Sequence, residues 1–184
     1  MPRRTSFKVS LNLPFGLGGV EQTWEPDDAE RSAAWELYVE LSTRITTVPL
    51  QSGTGLAREA LTSLYTLFGS TREILRRYGP GVAQPKGDGS ASFGTLAVTV
   101  LNDALRPLLA VWHPLLQDRE DQRPPDKTRV EWEQSWDRIH ELKDALSEVQ
   151  DTVSQYAKLL AEVADVPDLS GRDAVQATAT QTSH

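Results

Sequence analysis

The chain has 184 residues, no cysteine and a formal net charge of −7, so disulfides, thiolate metal sites and cysteine nucleophiles are excluded and a broad nucleic-acid or anionic-membrane surface is disfavoured. That length suits a single domain with a core of ordinary size. No apolar run approaches the ~18 residues of a membrane span, and Met1 to Lys8 has charges with no apolar segment behind them, so the expectation is a soluble, cytoplasmic protein that does not engage a membrane. Fourteen arginines against five lysines fit a GC-rich bacterial genome better than any structural demand.

Phe7, Val9, Leu11 and Leu13 alternate with polar residues, and Gly16 to Gly19 separates them from a second run, Val20 to Trp24. Alternation broken by glycines predicts an N-terminal β-hairpin over residues 1–25. A lone hairpin is marginal in water, so it must pack on the helices or offer an edge to a partner.

Pro26, Asp27 and Asp28, with Glu30 placed to reinforce the first turn, predict a helix from about residue 28 to about residue 47. Ala34, Leu37, Tyr38, Leu41, Ile45 and Val48 form its stripe, and Pro49 ends it. After the turn Ser52-Gly53-Thr54-Gly55, a second helix carries Ala57, Leu61, Leu64, Phe68, Leu75 and Tyr78, interrupted at Thr71. Gly69 marks a bend in it or a close backbone approach. Residues 80–92, rich in proline and glycine, read as a mobile loop. Lys86-Gly87-Asp88-Gly89-Ser90 within it lacks the spacing of a phosphate loop.

The third helix, about residues 92–118, is apolar around most of its circumference, which makes it central. Pro107 and Pro114 inside it predict kinks or a break. The fourth opens near Asp126 or Thr128 and runs to about Ala164. Its Ile139, Leu142, Leu146, Val149, Val153, Tyr156, Leu160 and Val163 keep a strict three-four step for more than three heptads. After Pro167 the composition turns to Ser, Thr, Ala and Gln, which predicts a disordered tail over 167–184. The fold class is therefore mainly α: an antiparallel four-helix bundle over residues 26–166, with long helices and a short N-terminal β-hairpin.

Candidate chemistry is sparse. Arg106 and His113 lie two helical turns apart on one face, beside Thr99, Asn102, Asp103 and Gln117. Arg72, Arg76 and Arg77 cluster at the end of the second helix, with Arg58 further back, where cations complement the helix dipole or, with Lys86, meet a phosphorylated ligand. Trp132 and Trp136, one turn apart, are candidate interface anchors that pack on the hairpin or on the end of the third helix. Asp137, His140, Glu141 and Asp144, with Glu133 a turn earlier, read as a solvated face. A second Glu-x-x-His element is missing, so neither a metal nor another cofactor is expected.

Arg106-Pro-Leu-Leu-Ala-Val-Trp-His113 resembles the Arg-x(4–6)-His motif of the HEPN superfamily, small helical bundles that often act as metal-independent ribonucleases. The resemblance covers these eight residues and departs from the family at Pro107, where a polar residue is usual. It implies a dimer cleft in which His113 serves as general acid or base and Arg106 holds the scissile phosphate of RNA. The reading that the whole chain favours is different: a non-enzymatic helical interaction or adaptor module, self-associating, a subunit of a larger bacterial assembly. The ribonuclease and an arginine-cluster module for a phosphorylated ligand are its alternatives.

Overall fold

A computed structural model describes residues 4–44, 56–87 and 89–169. The chain is mainly helical, with a small three-stranded sheet built from its N-terminal third and one later strand. Strands β1 (Phe7–Asn12) and β2 (Gly19–Trp24) pair antiparallel, from Phe7 opposite Trp24 to Asn12 opposite Gly19. The alternation of β1 has its expected cause, since Phe7, Val9 and Leu11 are buried and Lys8, Ser10 and Asn12 are exposed. Positive φ angles at Phe15 (61°), Gly16 (70°) and Gly18 (87°) turn the chain between the strands.

The hairpin belongs to the common core. Its apolar face joins the same cluster as the helices, and its turn is tied to the last helix: Thr152 Oγ1 donates to the Asn12 carbonyl at 2.7 Å, and the Asn12 and Phe15 N–H groups donate to Gln155 and Glu148.

Helix α1 (Asp28–Ser42) starts where the sequence places it. Asp27 accepts from the Glu30 N–H and the Glu30 carboxylate accepts from the Asp27 N–H, a complete capping box. Its Ala34, Leu37, Tyr38 and Leu41 are buried; the expected continuation through Ile45 and Val48 to Pro49, and the Ser52–Gly55 turn, lie outside the described residues. So do Asp88 and residues 170–184 of the expected tail.

Glu30 does more than cap. Only 1% exposed, its carboxylate also accepts from Trp24 Nε1 and the Phe93 N–H, each at 3.0 Å, and from Lys86 Nζ at 2.5 Å. Lys86 bonds Asp27 as well, at 2.9 Å. Burial works to lower the Lys86 pKa, but its hydrogen bonds to Glu30 and Asp27 outweigh that and raise it. This knot corrects the reading of residues 80–92 as a mobile loop. Pro80–Ala83 form a tight helical turn, and Ser90–Ala91 form β3, parallel to β2 through Thr23–Ser90 and Trp24–Ala91.

Helix α2 (Ala57–Tyr78) buries the first half of the expected stripe, Ala57, Leu61 and Leu64, and departs from it after that. Ala57, Ala60, Leu61, Leu64, Leu67, Thr71 and Ile74 face inward, whereas Phe68, Leu75 and Tyr78 sit on the shoulder. Thr71, read as an interruption, is 2% exposed and lies on the core line. The helix continues through Gly69, which admits no close neighbour, because nothing lies within 4 Å of where its Cβ would be.

The third helical segment runs without a break from Phe93 to Asp121, but it changes pitch. Helix α3 (Phe93–Thr99), opened by a Ser92 capping box, passes through a π-helical turn (Val100–Leu105) into α4 (Arg106–Asp121). Within the wide turn the Arg106 N–H donates to the carbonyl of Leu101, five residues back. Pro107 follows at once. A proline ring crowds the carbonyl four residues before it, and widening the preceding turn makes room, so a π segment stands where the irregularity was expected, and the helix continues through Pro114. Among the described residues this segment is long and apolar enough to cross a membrane, against the expectation that none is, yet half of its most apolar window is buried in the fold.

The expected fourth helix is two. Helix α5 (Arg129–Gln134), capped by Thr128, is separated by a turn from α6 (Ile139–Ala164). Every residue of the three-four seam of α6 is buried. It packs most extensively on α1 and also touches β1, α2 and α4.

Candidate functional site

Helix geometry brings Arg106 and His113 to one face of α4, opposite the outer face of α2. There they line an open cleft of about 340 Å³ with Tyr65, Phe68, Arg72, Leu109 and Ala110. Two groups that the sequence treats as unrelated, the Arg106–His113 pair and Arg72 of the arginine cluster, therefore share a site.

Each wall is held by a distinct interaction. The Arg106 guanidinium donates from Nε (3.1 Å) and Nη2 (2.8 Å) to Asn102 Oδ1 and lies 5.5 Å from the centre of the Phe68 ring. The exposed Tyr65 ring leans on Phe68 at 6.4 Å and on the His113 imidazole at 5.8 Å. Behind His113 stands Arg58, whose Nη1 is 3.2 Å from Nδ1. The same Nη1 is 3.5 Å from Nε2, and because a guanidinium can only donate, the ring turns an unprotonated nitrogen toward it. Burial, with the Arg58 charge next, pushes the His113 pKa below the usual histidine value, although Glu120 pulls the other way. The imidazole in this cleft is thus neutral at neutral pH.

Arg58 is fixed in turn. Both Glu120 carboxylate oxygens lie 3.0 Å from its Nε, and the start of α2 is capped from a distance. Leu56, at the cap position, supplies no side-chain acceptor. Instead Glu133 of α5 accepts from the Ala57 N–H at 2.8 Å and the Arg58 N–H at 3.4 Å. Glu133 is 6% exposed, and burial raises its pKa despite those two bonds. That role removes it from the solvated face on which the sequence places it. Asp137, His140, Glu141 and Asp144 are exposed, and no group of three or more His, Asp or Glu residues is placed to hold a metal among the described residues.

The arginine cluster is divided. Arg77 turns toward α1 and pairs with Glu36, which also accepts from the Tyr78 hydroxyl at 2.7 Å. Lys86 is committed to Glu30 and Asp27. Arg72 and Arg76 remain on the outer face, with no carboxylate paired to either among the described residues. Arg76 lines a second depression of about 460 Å³ beside Leu75, Pro80 and Val98, and Arg72 belongs to both.

Trp132 and Trp136 are engaged within the fold. Trp132 carries the Arg119 guanidinium on its ring at 3.3 Å and donates from Nε1 to the Arg119 carbonyl. Trp136 meets Trp112 edge to face at 6.1 Å. Both pack on α4, the second of the two placements expected from sequence.

Sequence reasoning placed Arg58 only at the edge of the arginine cluster and Phe68 only in a helix stripe, and it missed Tyr65. A signal existed: Arg58, Tyr65 and Arg72 follow each other at seven-residue steps, the same interval that joins Arg106 to His113. No protein-family model, curated protein or solved structure matches this chain.

Chemically, the cleft offers cationic donors (Arg72, Arg106), aromatic faces and one neutral imidazole, with no carboxylate and no second imidazole among its described lining residues. Those are the means to hold an anionic group beside an apolar one.

Proposed function

We propose that this chain is a non-enzymatic helical interaction module, a subunit or adaptor of a larger bacterial assembly in the cytoplasm. In this reading its long helices form an antiparallel four-helix bundle. The outer face of α2 and α4 receives a partner, and self-association is a further expectation of the broadly apolar third helix. One observation carries the reading: the cleft combines exposed apolar surface with arginines that no carboxylate of the described fold neutralises. Its imidazole, meanwhile, shares the cleft with no carboxylate and no second imidazole among the described lining residues.

A second reading has its own support. Arg106 and His113 line one cleft, as a ribonuclease would require, and a neutral imidazole has one nitrogen to accept a proton and one to donate it. Incubating a mixed RNA substrate with purified protein in EDTA separates the two. The interaction reading expects no cleavage by the wild type beyond that of His113→Gln. Cleavage that disappears in His113→Gln, with the circular dichroism spectrum unchanged, overturns it in favour of the nuclease.

A further inference from the structure

The two depressions that share Arg72 lie end to end along α2. From Tyr65 to Tyr78 they follow about 20 Å of helix at about 1.5 Å per residue. The surface between them is apolar in the middle and cationic at the rim: Val98 is 44% and Tyr65 61% exposed, Leu75, Leu109 and Pro80 contribute to the walls, and Arg72, Arg76 and Arg106 stand around them. The chain carries 26 acidic against 19 basic side chains. Leaving three arginines of one face without a carboxylate, in a chain with acids to spare, points to acids that arrive from elsewhere.

We infer that this groove docks an amphipathic acidic helix of a partner protein, its apolar stripe on Val98, Leu75, Phe68 and Tyr65 and its carboxylates on Arg72, Arg76 and Arg106. The inference rests on the interaction-module reading and names the partner's chemistry. Charge and surface type select this occupant. A nucleic acid strand brings a negative charge with every nucleotide toward a chain of net charge −7, and the aliphatic half of the groove offers its bases no ring to stack on. A second copy docked through the same face would set arginine against arginine across a two-fold axis. A helix with an apolar stripe and a few carboxylates meets both the apolar walls and the cationic rim, the helix-in-groove mode of recognition.

Two fluorescein-labelled helical peptides of about 16 residues test this, each about as long as the groove. They share one leucine stripe at three-four spacing and differ only in flanking charge, glutamate in one and lysine in the other. Anisotropy titrations with the full chain should show the glutamate peptide binding at least about tenfold more tightly than the lysine peptide. Arg72→Glu/Arg76→Glu, with unchanged circular dichroism and melting temperature, should invert that order, and Tyr65→Ala should weaken both peptides. Equal affinity for the two peptides, an order untouched by the double variant, or no binding of either at millimolar peptide overturns the inference. A labelled oligouridylate bound more tightly than either peptide and cut in EDTA overturns the interaction reading with it. Concentration-dependent sedimentation of the protein alone, abolished by Tyr65→Ala, overturns only the inference, because the occupant is then a second copy.

Discussion

Arg31, between α1 and α6, and Arg72, on the outer face of α2, are the same residue type in opposite circumstances. Arg31 is 6% exposed and donates to the Val163 carbonyl at 2.7 Å, while the Glu30 carboxylate beside it in sequence accepts four donors. On that side Glu30, Arg31 and Thr152 find their partners inside the chain, although Gln150 Nε2 and the Tyr156 hydroxyl of α6 are buried without one among the described residues. On the other side, Arg72 and Arg76 stay in solvent, Arg106 settles for an amide oxygen and a phenyl face, and the helix beneath them widens into a π turn. One side is finished by its own sequence; the other is complete as a surface and open as a set of charges. Under the proposed reading the difference marks the partner face, since a buried polar group without a partner costs stability, whereas an exposed arginine costs little and remains free to bind.

Substitutions on the closed side should have the largest effects. Glu30→Leu removes the acceptor of Trp24 Nε1 and of the Phe93 N–H, each orphaned donor costing ~1–3 kcal/mol, and it leaves Lys86 only Asp27 and the Glu25 carbonyl, which loosens β3. Urea unfolding should show a lowered midpoint, and amide exchange should quicken at Ser90 and Ala91. A midpoint within error of wild type would mean that the closed side is not held by this carboxylate. Leu146→Ala and Leu160→Ala, at seam positions 1% and 0% exposed, should each cost ~2–5 kcal/mol in the same measurement.

On the open face the walls should prove more sensitive than the charges. Gly94 lies where α3 meets the turn at Pro80–Ala83, and a Cβ there would stand 2.6 Å from the Ala83 Cβ and 2.8 Å from its Cα. Gly94→Ala should therefore cost ~1–3 kcal/mol by overpacking, whereas Arg72→Ala should stay within ~0.5 kcal/mol of wild type by thermal denaturation. An arginine substitution as costly as the glycine one would show that Arg72 is structural and would close the open face.

The closed side was also the more legible in sequence. The seam from Ile139 to Val163 announces itself because burial on one narrow face forces the three-four step. Asp27 and Glu30 announce the start of α1 because a capping box is local in sequence. What escaped depends on distant residues. Thr71 reads as polar, but its turn position beside Leu67 and Ile74 puts it inside and leaves the more apolar Phe68 on the shoulder. The two-residue strand β3 exists because Lys86 and the Phe93 N–H reach Glu30, more than fifty positions back. The break between α5 and α6 lets Glu133 cap α2 while Trp136 meets Trp112, and no periodicity encodes that. In the cleft, the step from Arg106 to His113 was visible, but the contact of Arg58 with His113 was not, since 55 residues separate the two.

That hidden contact yields the smallest effect and the finest discrimination. Burial and Arg58 hold the folded-state pKa of His113 below its ordinary value of 6.5. Above that value the imidazole is neutral in both states and adds no pH dependence. As pH falls below it the unfolded chain takes up the proton more readily, so stability is lost until the folded-state value is passed and is constant beyond. Glu133, whose folded-state pKa burial raises, has the opposite sign: below that raised value the folded state holds the proton better and stability grows. Because Glu133 is present in both proteins, the comparison of wild type with His113→Gln cancels it. Urea midpoints at pH about 7.5 and about 5.5 should fall further for wild type than for His113→Gln. Parallel losses would show that Arg58 does not bear on the imidazole, and the cleft would then gain a cation on mild acidification. A steeper loss in wild type leaves its positive charge to the arginines alone, the condition under which Arg72 and Arg106 set the sign of what binds there.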